Sequence, residues 1–132
     1  MIIIPEQYAD ILQSKALAYF ASTGPKGAPK VSPMFFVRDG AKFVFSTIKA
    51  RQKYRNVTRE PQVSIAITDI NNPYRSLEIR GRAQVEDDHG YRVTHLVTRK
   101  YLGHDAMPEM LPAHEQRVVI TLTPEQLLVF AP

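Results

Sequence analysis

Residues 62–88 read QVSIAITDINNPYRSLEIRGRAQVEDD. The segment QVSIAITD alternates apolar and polar residues, the period-two pattern of a half-buried strand. NNPYR predicts a turn. SLEIRGRAQVE alternates again, with Leu77, Ile79 and Val85 on one side, and Gly81 interrupts the run where a bulge would. Strands joined in hairpins pair antiparallel, so this stretch argues for an antiparallel sheet.

Working outward, KFVFST (42–47) is a further strand. It is the return arm of a hairpin signalled by Asp39-Gly40. VSPMFFV (31–37) is β-like, and Pro33, which cannot donate a ladder hydrogen bond, predicts an edge or a bulge. LAYFAST (17–23) predicts a strand and GPKGAPK (24–30) a turn. Residues 5–13 predict a short helix through Tyr8, Ile11 and Leu12. Residues 50–60 predict a second, with Tyr54 and Val57 inward and Pro61 ending it. From Asp88 to Leu102 a third helix is expected, its inner positions being Tyr91, His95 or Leu96, and Thr98 or Arg99. GHDAMPEMLPAHE (103–115) is a long loop. RVVITLTPEQLLVF (117–130) predicts a last strand, a Pro turn and a short apolar end. About six short strands with two or three helices make the chain mainly β, and such strands favour a closed or nearly closed barrel, which removes exposed edges.

The 132 residues suit one domain, residues 1–132. The chain has no cysteine, which excludes disulfides, thiolate metal sites and a cysteine nucleophile. No apolar run approaches the ~20 residues of a membrane span. MIIIPEQYAD lacks the basic start of a signal peptide, so a cytoplasmic location is expected. Formal charge is +4, from 17 Lys and Arg against 13 Asp and Glu, which suits an anionic partner.

That charge clusters in STIKARQKYRN (46–56), where Lys49, Arg51, Lys53 and Arg55 stand at every second position and Arg59 follows. A solvated helix face is the plain reading. Two features point to a phosphate instead. The run follows strand-end hydroxyls of Ser46 and Thr47, and it opens a helix whose free N–H groups favour an anion. Arg51 could bind two phosphate oxygens and Lys53 could add a point charge. No Walker loop and no G-x-G-x-x-G is present. Single-stranded nucleic acid would need stacking aromatics and a longer basic track than Phe35-Phe36 and this run provide.

His89, His95, His104 and His114 lack metal-ligand spacing, so no metal site is expected, and each reads as a surface or loop residue. Glu86, Asp87 and Asp88 read as a solvated strand end. No serine has a G-x-S-x-G context. The 103–115 loop is long enough for a lid, with Met107, Met110 and Leu111 as its apolar side.

The order of segments resembles a known family. ARQKYRNVTREPQVSI resembles the pattern K-x-R-N-L-x-x-D-P-x-V, and PYRSLEIRGRAQVEDD resembles P-Y-R-x-L-E-I-R-G-x-A. RKYLG and QRVVITLTP echo the C-terminal part. These are patterns of the split β-barrel flavin and deazaflavin oxidoreductases, the relatives of pyridoxamine 5′-phosphate oxidase. The nearest branch is the deazaflavin (coenzyme F420)-dependent reductases of the PPOX class. The departures are Val57 for Leu and Glu60 for Asp. The resemblance implies a six-stranded antiparallel split β-barrel of the FMN-binding type with peripheral helices. It also implies a homodimer with cofactor sites at the subunit interface. By matched position, Ser46, Thr47, Arg51, Lys53 and Asn56 would hold the cofactor's phosphate, and Ala50 would also belong to the cofactor site. Val31, Ser32, Pro33 and Met34 would lie along its ring, and Tyr74 and Arg75 of the partner subunit would close the pocket.

The activity implied is hydride transfer to a small unsaturated molecule, with F420 as cofactor and FMN as the alternative. The cofactor carries the hydride, so no acid–base pair is required. The surplus of Lys49, Arg51, Lys53, Arg55 and Arg59 favours the longer anionic tail of F420. A flavin or haem carrier without turnover is the remaining alternative.

Overall fold

A computed structural model describes residues 1–131. Seven strands form one antiparallel sheet: β1 (Ala18–Thr23), β2 (Pro29–Met34), β3 (Val37–Asp39), β4 (Lys42–Ile48), β5 (Gln62–Asp69), β6 (Asn72–Asp87) and β7 (Arg117–Phe130). Three α-helices, α1 (Ala9–Gln13), α2 (Gln52–Arg59) and α3 (Arg92–Leu102), lie around it. Strand order is β2-β1-β5-β6-β7-β4-β3.

The extra strand comes from VSPMFFV, which is two strands rather than one. β2 and β3 are opposite edges of the sheet, yet only Phe35 and Phe36 separate them in sequence. Two linking residues reach about 11 Å at most. The sheet must therefore curl until its edges meet at a seam that is covalently crossed but not hydrogen-bonded. Pro33 sits on β2, an edge strand, where a missing N–H is tolerated.

The alternation in β5 and β6 sends Val63, Ile65, Ile67, Leu77 and Ile79 into the barrel. Phe20, Phe36, Phe43 and Phe45 fill its centre, with the Phe20 and Phe45 rings edge-on at 5.1 Å. KFVFST is apolar on both faces for a reason. Phe43 and Phe45 point inward, while Val44 packs outward with Val119 against Val93, Val97 and Tyr101 of α3.

Gly81 marks a bulge, since the β6–β7 register shifts between Arg80 and Gly81. A Cβ there would lie 2.0 Å from the Thr123 carbonyl oxygen, so only glycine fits. Pro124 stands opposite Gly81. It occupies this irregularity inside a continuous 14-residue β7, rather than making the expected turn. The NNPYR turn is likewise shorter than expected. Asp69 pairs with Asn72, and Pro73–Arg75 belong to β6 beside a second register shift. The Asp39-Gly40 hairpin forms, with Asp39 paired to Lys42 and Gly40 at φ +63°.

Two helix faces differ from expectation. In α2 the buried pair is Asn56 and Val57, not Tyr54 and Val57. The α3 interior is Val93, Thr94, Val97, Thr98 and Tyr101. Tyr91 falls in a preceding 3₁₀ turn with φ +57°, which resets the helix phase. Asp88 is buried rather than solvated, because its carboxylate accepts the N–H groups of Val93 (3.0 Å) and Thr94 (2.9 Å) and so caps α3.

Candidate functional site

A cavity of about 500 Å³ is bounded by the ends of β2 and β4, the start of α2, one face of α3 and the loop beyond it. α3 divides its chemistry. Near the helix start Thr94, Ser46 and Arg117 are joined by hydrogen bonds, and Thr47, Arg51, Lys53 and Glu115 complete the polar lining. Near its end lie Phe35, Leu102 and Met110, with Pro33, Met34 and Val97 beside them. Thr94 touches Ser46 and Tyr101 touches Phe35, so the two ends are separated by about 10 Å of helix.

The apolar end is held firmly. Phe35, 43% exposed, stacks on Tyr101 with ring centres 4.1 Å apart. The Tyr101 hydroxyl donates to the Ala16 carbonyl at 2.8 Å and accepts the Phe36 N–H at 3.3 Å. Lys100 Nζ donates to the carbonyls of Leu12 and Phe36, each at 3.0 Å, and lies 3.8 Å from the Phe36 ring centre. Burial pulls the Lys100 pKa down to about 8 and pushes Tyr101 up. His95 is half-buried, and its Nδ1 accepts the Ala106 N–H at 3.0 Å, which ties the loop wall to α3.

At the polar end, the basic run resolves into two kinds of residue. Lys49 pairs with Asp87 at 3.8 Å. Arg55 folds back onto the Ala50 carbonyl and Gln52, and Arg59 donates to the Thr23 carbonyl. Arg51 and Lys53 alone of the five line the cavity, and among the described residues neither has an ion-pair partner. Burial lowers the Lys53 pKa, and the charges of Lys30 and Arg51 lower it further. α2 begins here with no acidic residue in its first turn. Glu115 also lines the cavity but, among the described residues, forms no ion pair with either cation, so the two cations at this helix start form a place for an oxyanion.

Of the sequence-predicted residues, the cavity brings together Pro33, Met34, Ser46, Thr47, Arg51 and Lys53. Val31 is exposed and Ser32 half-buried on β2 beside it, and Ala50 is exposed in the turn before α2. Asn56 lies elsewhere. It is fully buried, donating to Ser22 Oγ at 3.1 Å and accepting from Gln52 at 2.7 Å, so it fastens α2 to β1. Tyr74 is exposed. Arg75 is committed within its own chain, donating to Asp10, Asp69 and the Gln7 carbonyl. Sequence reasoning missed Phe35, Thr94, Thr98, Glu115 and Arg117 as cavity residues. The spacing of Thr94 and Thr98, one turn apart on α3, is the signal that could have found those two.

A profile of the pyridoxamine 5′-phosphate oxidase family matches residues 4–130. No curated protein sequence matches. Among solved structures, an F420 reductase is 32% identical, with a TM-score of 0.83 over 95% of this chain and 98% of that one. The conserved hypothetical protein Rv2991 from Mycobacterium tuberculosis is 23% identical, with a TM-score of 0.80 over 98% and 86% of the two chains. A putative pyridoxamine 5′-phosphate oxidase from Listeria innocua is 24% identical, with a TM-score of 0.70 over 94% of each. The last two show likeness of fold.

Proposed function

The chain belongs to the pyridoxamine 5′-phosphate oxidase family, and from that premise we propose that it is an F420-dependent oxidoreductase acting on a small unsaturated organic substrate. The observation that carries this reading is the pairing of Arg51 and Lys53, unpartnered by acids, with an apolar wall in one cavity. Arg51, Lys53 and the Thr47 hydroxyl would hold the cofactor's phosphate. Pro33 and Met34 would lie along its ring. When bound, such a cofactor supplies a hydride at its central ring. Phe35, locked by Tyr101, would orient a flat substrate, while Leu102 and Met110 exclude water from it.

The preference for F420 rests on the 32%-identical F420 reductase. It does not rest on the count of cations, since Lys49, Arg55 and Arg59 have partners within the chain. FMN is the second reading, favoured by the family match. The test is a side-by-side fluorescence titration of the purified protein with F420 and FMN, followed by anaerobic turnover with a panel of conjugated substrates. F420 should bind more tightly. Binding of neither cofactor refutes the reading.

The proposed partner is a second copy of the chain. Register places Pro33, Tyr19, Ala66, Glu78 and Leu128 in one lateral row across five strands. Cross-strand neighbours share a face. Tyr19 is 48% and Leu128 38% exposed on that face, and Phe130 follows at 57%. The row begins at Pro33, which lines the cavity, so a copy seated there would reach the site.

A further inference from the structure

We propose that Arg117 is a third anchor for the ligand's oxyanion, and that Ser46 serves the site by orienting Arg117 rather than by donating to the anion. This deepens the reading of the cavity as a phosphate and ring site.

The argument is one of hydrogen-bond direction. The Asp88 carboxylate, an acceptor, takes the Thr94 hydroxyl at 2.7 Å in addition to two backbone N–H groups. A threonine hydroxyl has one proton, and here it points to Asp88. Ser46 Oγ and Thr94 Oγ1 are 2.6 Å apart. That bond must therefore carry the Ser46 proton. What Ser46 has left is lone pairs, and these face Nη1 of Arg117 at 3.4 Å. A hydroxyl in this state has no proton to offer a phosphate. It holds one edge of the guanidinium instead.

Arg117 itself is unfinished. It lines the cavity, its Nε is buried without a partner, and among the described residues it has no ion pair. A guanidinium fixed on one side with free N–H groups on the other fits two oxygens of a phosphate or carboxylate. Its place opposite Ile48 at the β4–β7 junction puts it at the polar end, with Arg51 and Lys53.

The test compares wild type, Arg117→Met, Ser46→Ala and the double variant. Each is titrated with FMN and riboflavin, and with F420 and its phosphate-free deazaflavin alcohol. Arg117→Met should weaken the phosphorylated form of each pair by about tenfold or more and leave the phosphate-free form unchanged, as loss of a charge-assisted contact does. Ser46→Ala should weaken it less, and should add nothing in the Arg117→Met background. A Ser46→Ala loss that persists in full without Arg117 means that Ser46 touches the anion directly, which overturns the proposal. Unchanged phosphate preference in Arg117→Met overturns it as well. If that variant does not fold, Arg117→Lys, which keeps the charge but not the fork, must still lose preference for the phosphorylated form. Pyrophosphate separates the two readings. If it raises the melting temperature of wild type but not of Arg117→Met while no cofactor binds, the anchor stands and the oxidoreductase reading falls. An equal rise in both proteins, or in neither, removes the anchor.

Discussion

Replacing Lys53 with Met removes an ammonium and keeps most of the alkyl stem, and it should move binding and stability in opposite directions. A cation and a phosphate charge about 4 Å apart attract by about 4 kcal/mol at an effective dielectric near 20. Exchange with water leaves about 1.5–3 kcal/mol net for such a charged hydrogen bond. Cofactor affinity should therefore fall by about 10- to 150-fold. The ligand-free protein should respond the other way. Lys53 stands near Lys30 and Arg51, and burial already disfavours its charge. Relief of a like-charge pair is worth about 0.2–0.5 kcal/mol, which for a chain of this length raises the melting temperature by about 1–2 °C. The pH dependence has a definite sign. The folded-state pKa lies below the ordinary 10.5, so the native protein releases this proton before the unfolded chain does. Wild type then gains stability as pH rises toward 10.5, and its deficit against the variant closes. The assays are calorimetric melts of the free proteins from pH 7 to 10 and a low-salt cofactor titration. A variant that melts lower than wild type, or that binds as tightly, would refute the idea that Lys53 is held ready for an anion.

Gly81→Ala should cost about 3 kcal/mol, from overpacking and broken ladder bonds, or about 10 °C of melting temperature. Gly27→Ala, strained at φ +78° but with open space around it, should cost about 1 kcal/mol; equal losses would deny the close contact with Thr123. Lys100→Met should shift the baseline stability, and wild type should then gain on it between about pH 8 and 10.5, because the native state loses this proton first. A constant difference across that range in chemical denaturation would refute the assignment. Phe130→Asp should yield monomers in light scattering after size exclusion, and an unchanged dimer would move the interface elsewhere.

Patterns that act over a few residues were legible in the sequence. The alternation of β5 and β6 and the Asp39-Gly40 hairpin each depend on neighbours in the chain, and Gly81 showed itself as a break in that alternation, although its cause, the Thr123 carbonyl, lies on another strand. What depended on distant partners was not. Phe35 and Phe36 are both apolar, so VSPMFFV reads as one strand; only the stack on Tyr101 and the core around Phe36 reveal the crossing. Pro124 is tolerated because its opposite number is a glycine on another strand. Thr98 was among the expected inner positions of the third helix, but Thr94 is a buried polar residue facing the cavity, which inverts the rule that picks a helix interior by apolarity. The basic run displayed five cations, but the partners of Lys49, Arg55 and Arg59 lie on other segments or on the folded backbone. Asp88 was hidden among acids and Arg117 was isolated, and neither carries a local signal of its place in the hydrogen-bond chain to Ser46.

Because the crossing between β2 and β3 is only Phe35 and Phe36, the wall of the cavity and the clasp of the barrel are one piece of chain. A molecule leaning on Phe35 presses on the joint between the two outermost strands. Slow loosening of that joint and escape of the molecule then share a single mechanical coordinate, so the rate of escape and amide-proton exchange in β2 and β3 should rise and fall together.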